Sequence, residues 1–121
     1  MTLAVQATGT QTAVIGTEHI LVSSNTTAGV WEFLVDTTNL ALGDELELRA
    51  YVRVLSGDST EKLAFCATYM HPQGDGAAAG SSGNGEVLKM SPPVVSPYAV
   101  SFTLKQLAGT GRSFKWRAAT L

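Results

Sequence analysis

Two histidines, one cysteine and ten carboxylates hold most of the catalytic or metal-binding potential of this chain. A zinc site asks for about four ligands at recognisable spacing. His71 and Asp75 are near one another, but neither Cys66 nor His19 stands at a spacing that completes a set. A nucleophilic triad asks for a serine or cysteine activated by a histidine and an acid. Serines and threonines abound, yet none lies in a nucleophile-elbow pattern, and His19 in G-T-E-H reads as a turn leading into a strand. Paired carboxylates for glycoside hydrolysis would have to come from Asp36, Asp44, Glu45, Glu47 or Glu86. Glu45 and Glu47 are more simply solvated charges on the outer face of a strand. The glycines of Gly74–Gly85 lack the lysine and the following helix of a phosphate cradle. The expectation is a protein without catalytic residues, metal or cofactor, which acts by contact.

Three groups of residues offer such contact. Tyr51 and Tyr69 fall on strands expected to be neighbours, close to Arg49 and Arg53. Aromatics beside polar groups suit a carbohydrate- or receptor-binding module, and they equally suit a protein interface. The second group lies in S-P-P-V-V-S-P. Pro92, Pro93 and Pro97 stiffen this segment and remove ladder donors, so Val94 and Val95 would lie extended across a partner or cap a sheet edge. The third is the amino-terminal stretch, where Thr2, Leu3 and Val5 belong to a candidate arm over residues 1–10.

The elements that must position these residues are strands. In Asp44–Gly57, Leu46, Leu48, Ala50, Val52 and Val54 alternate with Glu45, Glu47, Arg49, Tyr51 and Arg53. A period of two marks a strand with one face on a core and one in water. Further strands are expected at Leu3–Ala7, Gln11–Ile15, His19–Ser23, Val30–Asp36, Glu61–Met70, Glu86–Met90, Tyr98–Gln106 and Ser113–Ala118. Turn residues separate them at the short spacing of a sandwich or barrel. One short helical turn is predicted at Thr37–Leu42, between Asp36 as N-cap and Gly43. Hairpins are predicted at Ser56-Gly57-Asp58 and through A-G-T-G after Leu107, and an Arg53–Glu61 cross-strand pair at the first. Trp116 and Phe102 lead the expected core aromatics, followed by Trp31 and Phe33, and Cys66 is expected to be buried. The fold class is therefore all-β, an antiparallel β-sandwich or jelly-roll-like barrel, in a single domain spanning residues 1–121. Residues 72–97 form a long Gly/Ala/Pro-rich loop or arm.

Composition narrows the partners. A net charge of −2 with eight dispersed Lys and Arg residues argues against direct nucleic-acid binding, which draws on phosphate neutralisation. No apolar run approaches the roughly 20 residues of a membrane helix. The first ten residues lack a basic region followed by an apolar stretch, so no signal peptide is expected. With Cys66 alone, no internal disulfide is available, and the core or oligomerisation must hold the fold.

Three segments, in order, carry a resemblance. They are G-T-E-H-I-L at Gly16–Leu21, L-A-L-G-D-E-L-E-L-R-A-Y-V-R-V-L-S-G at Leu40–Gly57, and T-L-K-Q-L-A-G-T-G-R-S-F-K-W at Thr103–Trp116. Together they resemble a family of small all-β virion structural proteins of tailed bacteriophages. The resemblance implies a virion component made in the host cytoplasm and placed on the capsid surface. Its role there would be decoration, or cement, with the major capsid protein as partner. A homo-oligomer, dimer or trimer, would match the local symmetry. A head–tail connector or tail component is the neighbouring expectation. The departure is Pro72–Pro97, which is longer and richer in Gly, Ala and Pro than the connection usual in that family.

Overall fold

The computed structural model describes residues 2–70 and 87–121. Nine strands are formed among them: β1 (Ala4–Thr12), β2 (Glu18–Asn25), β3 (Gly29–Asp36), β4 (Glu45–Val52), β5 (Lys62–Met70), β6 (Leu88–Met90), β7 (Val94–Ser96), β8 (Val100–Ala108) and β9 (Ser113–Thr120). They make two antiparallel sheets packed face to face as a β-sandwich. The five-stranded sheet runs β1-β9-β3-β6, with β7 also on β3, and the four-stranded sheet runs β2-β8-β4-β5. The Gly74–Gly85 part of the expected long loop, with His71, Asp75 and Glu86, lies outside the described residues.

The chain passes from one sheet to the other at most connections. The β4–β5 pair is a true hairpin, closed by a turn in which Asp58 N–H donates to the Leu55 carbonyl at 3.1 Å. The expected second hairpin is not one. β8 pairs with β2 and β4, while β9 pairs with β1 and β3 in the other sheet. The A-G-T-G segment is thus a crossover, and the reason lies in two buried side chains, Gln106 beside it and Asp44 far from it in sequence. Fully buried Gln106 donates to the carbonyls of Ala108 and Thr110 and accepts from Arg112 N–H. Asp44 accepts from Thr110 N–H at 3.1 Å and from Arg112 Nε at 2.8 Å. These bonds turn the backbone away from the sheet it has just left.

The helical turn expected at Thr37–Leu42 is also absent. Thr37 gives both its N–H and its hydroxyl to the Val87 carbonyl, at 2.7 and 2.6 Å. With that residue tied to the lead-in of β6, the segment resolves into successive tight turns, Thr37–Leu40 and Ala41–Asp44. Asp36 still accepts from Thr38 N–H, as a cap would, and Gly43 supplies the left-handed φ of 92°. The residues read as an arm are mostly strand, since Ala4–Thr12 pair with β9 and only Thr2 and Leu3 precede them among the described residues. The segment after Met90 carries a short strand, β7, that the sequence pattern did not signal.

The core is filled by the inward phase of the central strands. Trp31, Phe33 and Val35 from β3, Leu46, Leu48 and Ala50 from β4, Val100, Phe102 and Leu104 from β8, and Phe114 from β9 are all fully buried. Phe102 stacks on Phe33 with ring centroids 4.8 Å apart and meets Trp31 at 5.9 Å. Trp31 Nε1 donates to the Thr27 carbonyl at 3.0 Å, so its one polar atom is satisfied. Trp116 is inward-facing but only half-buried, because the strand that covers it, β1, is an edge strand with Gly9 opposite the ring. A Cβ at Gly9 would lie 3.1 Å from Trp116 Nε1, so the absent side chain is what admits the indole.

Candidate functional site

Two outer faces carry the residues that can act. On the five-stranded sheet an apolar patch forms from three distant parts of the chain. Leu121 and Val30 exchange backbone hydrogen bonds of 2.9 and 3.4 Å, and Val30 stands opposite Val95. On the other side of β9, Val5 stands opposite Ala119 and Ala4 opposite Thr120, which carries Leu3 toward Leu121. The phase of β1 depends on a bulge between Val5 and Ala7. Ala7 packs on the core, and the extra residue turns Val5 outward, while Gln6 Nε2 donates to Thr120 Oγ1 at 2.9 Å. The patch is open to solvent: Leu3 is 63% exposed, Val5 59%, Val95 70% and Leu121 51%.

The same face continues along β3 and β6. Leu34 stands opposite Met90, and Asp36 opposite Leu88. Leu34, Leu88, Lys115 and Arg117 line a shallow hollow of ≈ 140 Å³ there. Pro92, Pro93 and Pro97 flank β7 and are exposed. Their missing N–H groups blunt this sheet edge against strand addition, which leaves the face for docking. Val94, expected among the contacts, points inward opposite Trp31 and belongs to the core, because successive residues of a strand face opposite ways. Thr2 is exposed beside Leu3.

On the four-stranded sheet the two tyrosines part company. Tyr69 stands opposite Leu46 and packs on the core, with Lys89 Nζ 5.4 Å from its ring centroid. Burial pushes its phenol above the ordinary value. Tyr51 lies on the outer face, so the two rings make no shared platform. Tyr51 Oη instead donates to Glu18 Oε2 at 2.6 Å, and Thr103 Oγ1 donates to the same oxygen at 2.6 Å. These two bonds hold the Glu18 carboxyl below its usual range, Thr103 contributing most. Arg49 Nε pairs with Glu47 at 2.7 Å, and Arg49 Nη1 reaches Tyr51 Oη at 3.4 Å.

The expected Arg53–Glu61 pair is replaced by a different one. Glu61 accepts from the hydroxyls of Ser24, at 2.7 Å, and Ser101. Ser24 N–H in turn donates to Ser101 Oγ at 2.8 Å, with Ser24 in the left-handed region at φ 44°. Arg53 is left with its Nε buried and without a hydrogen-bond partner among the described residues. Between these groups is a depression of ≈ 450 Å³. Glu61 was legible only as a partner for Arg53, and Glu18, Ser24, Ser101 and Thr103 carried no sequence signal as a group, because their meeting depends on which strands pair. Cys66, expected to be buried, is exposed on this outer face opposite Arg49. Among the described residues no group of three or more His, Cys, Asp and Glu side chains could hold a metal ion, and no helix is long and apolar enough to cross a membrane.

Comparison with protein-family models, with curated proteins and with solved structures finds no match to this chain.

Proposed function

We propose that this protein is a bacteriophage virion subunit, a capsid-decorating protein that docks on the major capsid lattice through the outer face of its five-stranded sheet. The observation that carries the reading is the apolar patch of Leu3, Val5, Val95 and Leu121. The residues leading into β1, the residue after β9 and the proline-bracketed segment converge on it, and four large aliphatic side chains stay in water there. Covering such side chains contributes up to about 1.5–3 kcal/mol for each one fully transferred from water. Over a lattice, many modest contacts add through multivalency, so no single deep pocket is required. The rigid sandwich behind the patch keeps the ordering cost on binding small. The resemblance of the three segments to small all-β virion proteins supports the same placement, on the capsid surface.

The test is the copy number in purified particles, measured by quantitative mass spectrometry against the major capsid protein. Decoration predicts hundreds of copies, and about a dozen or fewer would move the protein to the neck or tail. Absence from the particle would overturn the virion reading. In the same assay the Val95→Asp variant is expected to lose particle binding by at least tenfold, since a carboxylate would be desolvated in the contact. Its thermal midpoint should stay close to that of the parent, because Val95 is mostly in solvent. Unaltered binding by Val95→Asp would show that another surface docks.

A further inference from the structure

We infer that the depression on the outer face of the four-stranded sheet is a binding site for a neutral saccharide, on the side of the molecule opposite the proposed docking face. Its volume, ≈ 450 Å³, lies in the range of small-molecule sites. Its chemistry is that of a polyol. Glu18 and Glu61 each accept two side-chain hydroxyl donors. A carboxylate has about four acceptor positions, so each retains capacity for a ligand hydroxyl. Arg53, in the same wall, supplies the complementary group, a guanidinium with its fork of N–H donors.

One kind of ligand satisfies both requirements at once. A sugar hydroxyl donates its proton to a carboxylate and accepts at its oxygen from a guanidinium. An apolar element is present as well. Ile20, 65% exposed, lines the depression together with Tyr51 and can cover the C–H face of a pyranose. The charges select within the class. Two carboxylates against one arginine in the wall repel sialylated and sulfated glycans. The carboxylates are held in place beforehand: Tyr51 and Thr103 orient Glu18, and Ser24 and Ser101 orient Glu61. Little ordering is then left to be done on binding.

The experiment uses the full chain on an array of defined neutral, sialylated and sulfated oligosaccharides. It continues with NMR titration by the methyl glycosides of glucose, galactose, mannose and N-acetylglucosamine up to millimolar concentrations. The expected result is saturable binding of one or more neutral glycans, with shift changes at the β2, β4 and β8 residues of the pocket. Arg53→Met should weaken that binding about tenfold or more while particle binding is retained, which separates this site from the docking face. Glu61→Gln, which keeps the side-chain shape, provides a second variant and should weaken it as well. The inference is overturned by absence of neutral-glycan binding, by binding confined to anionic glycans, by shift changes mapping elsewhere, or by full affinity in both variants.

Discussion

Phe102→Ala is expected to cost about 4 kcal/mol of folding stability. Phe102 sits on β8, an inner strand of the four-stranded sheet, and is fully buried. Its ring bridges the two layers by stacking on Phe33 at 4.8 Å and meeting Trp31 at 5.9 Å, both on β3 of the other sheet. Removing it opens a cavity between two hydrogen-bonded sheets, which cannot slide together to fill it. The cost is the transfer free energy of the ring plus the unfilled volume. A domain of this size has a stability of about 5–15 kcal/mol, so the variant should retain only part of its margin. Urea unfolding followed by tryptophan fluorescence would give the result as a lower midpoint at unchanged slope. A loss under about 1 kcal/mol would contradict the packing described. Trp116→Ala provides the internal contrast and should cost less, because that ring is only half-buried, lying over Gly9 of an edge strand.

Asp44→Ala is expected to cost about 3 kcal/mol, the scale for removing a buried carboxylate that accepts from two backbone N–H groups and a partly exposed guanidinium. Asp44 is 2% exposed and accepts from Ala41 N–H at 2.9 Å, Thr110 N–H at 3.1 Å and Arg112 Nε at 2.8 Å. It is the clamp between the turn before β4 and the crossover from β8 to β9. Gly109 passes so close, at φ 93°, that a Cβ there would overlap the Asp44 side chain, so Gly109→Ala should damage the same clamp. Burial alone would raise the Asp44 carboxyl, but the backbone donors and Arg112 outweigh it, and the net direction is down. A carboxyl lowered on folding contributes stability that is present above its unfolded value, near pH 4, and is lost as pH falls through the folded value. The parent should therefore lose stability in mild acid, and Asp44→Asn should show a shallower acid slope between pH 5 and 3. Equal slopes in the two proteins would show that Asp44 does not contribute to the linkage. Glu18 and Asp36 are lowered as well, through hydroxyl donors first, so some slope should remain.

Strand identity was legible along much of the chain because it is a local property. The alternation through Leu46, Leu48 and Ala50 named the core face of β4, and all three residues are fully buried. Trp31, Phe33 and Phe102 were legible as core residues for the same reason. Trp116 shares the inward phase but lies under an edge strand, and nothing local to it reveals that. Tyr69 and Val94 illustrate the sharper limit. Each was a sound candidate for contact by type and neighbourhood, yet a one-residue change of phase separates the face that meets a partner from the face that meets the core. The bulge that turns Val5 outward shows the same effect in the other direction.

Legible in the residues alone are the all-β class, the place of most strands, and a central part of the interior, Trp31, Phe33, Leu46, Leu48, Ala50 and Phe102, whereas Val54, on the same phase as Leu46, ends 66% exposed beyond the end of β4. Those follow from side-chain periodicity and turn chemistry within a few residues. Strand pairing across the whole fold puts β8 and β9 in different sheets, brings Leu3, Val5, Val95 and Leu121 to one face, and lines one depression with Glu18, Arg53 and Glu61. The physical reason is that strand pairing is set by the packing of the whole core and by buried polar clamps such as Asp44 and Gln106. Their partners lie far away in the sequence or depend on a turn that only the folded chain makes.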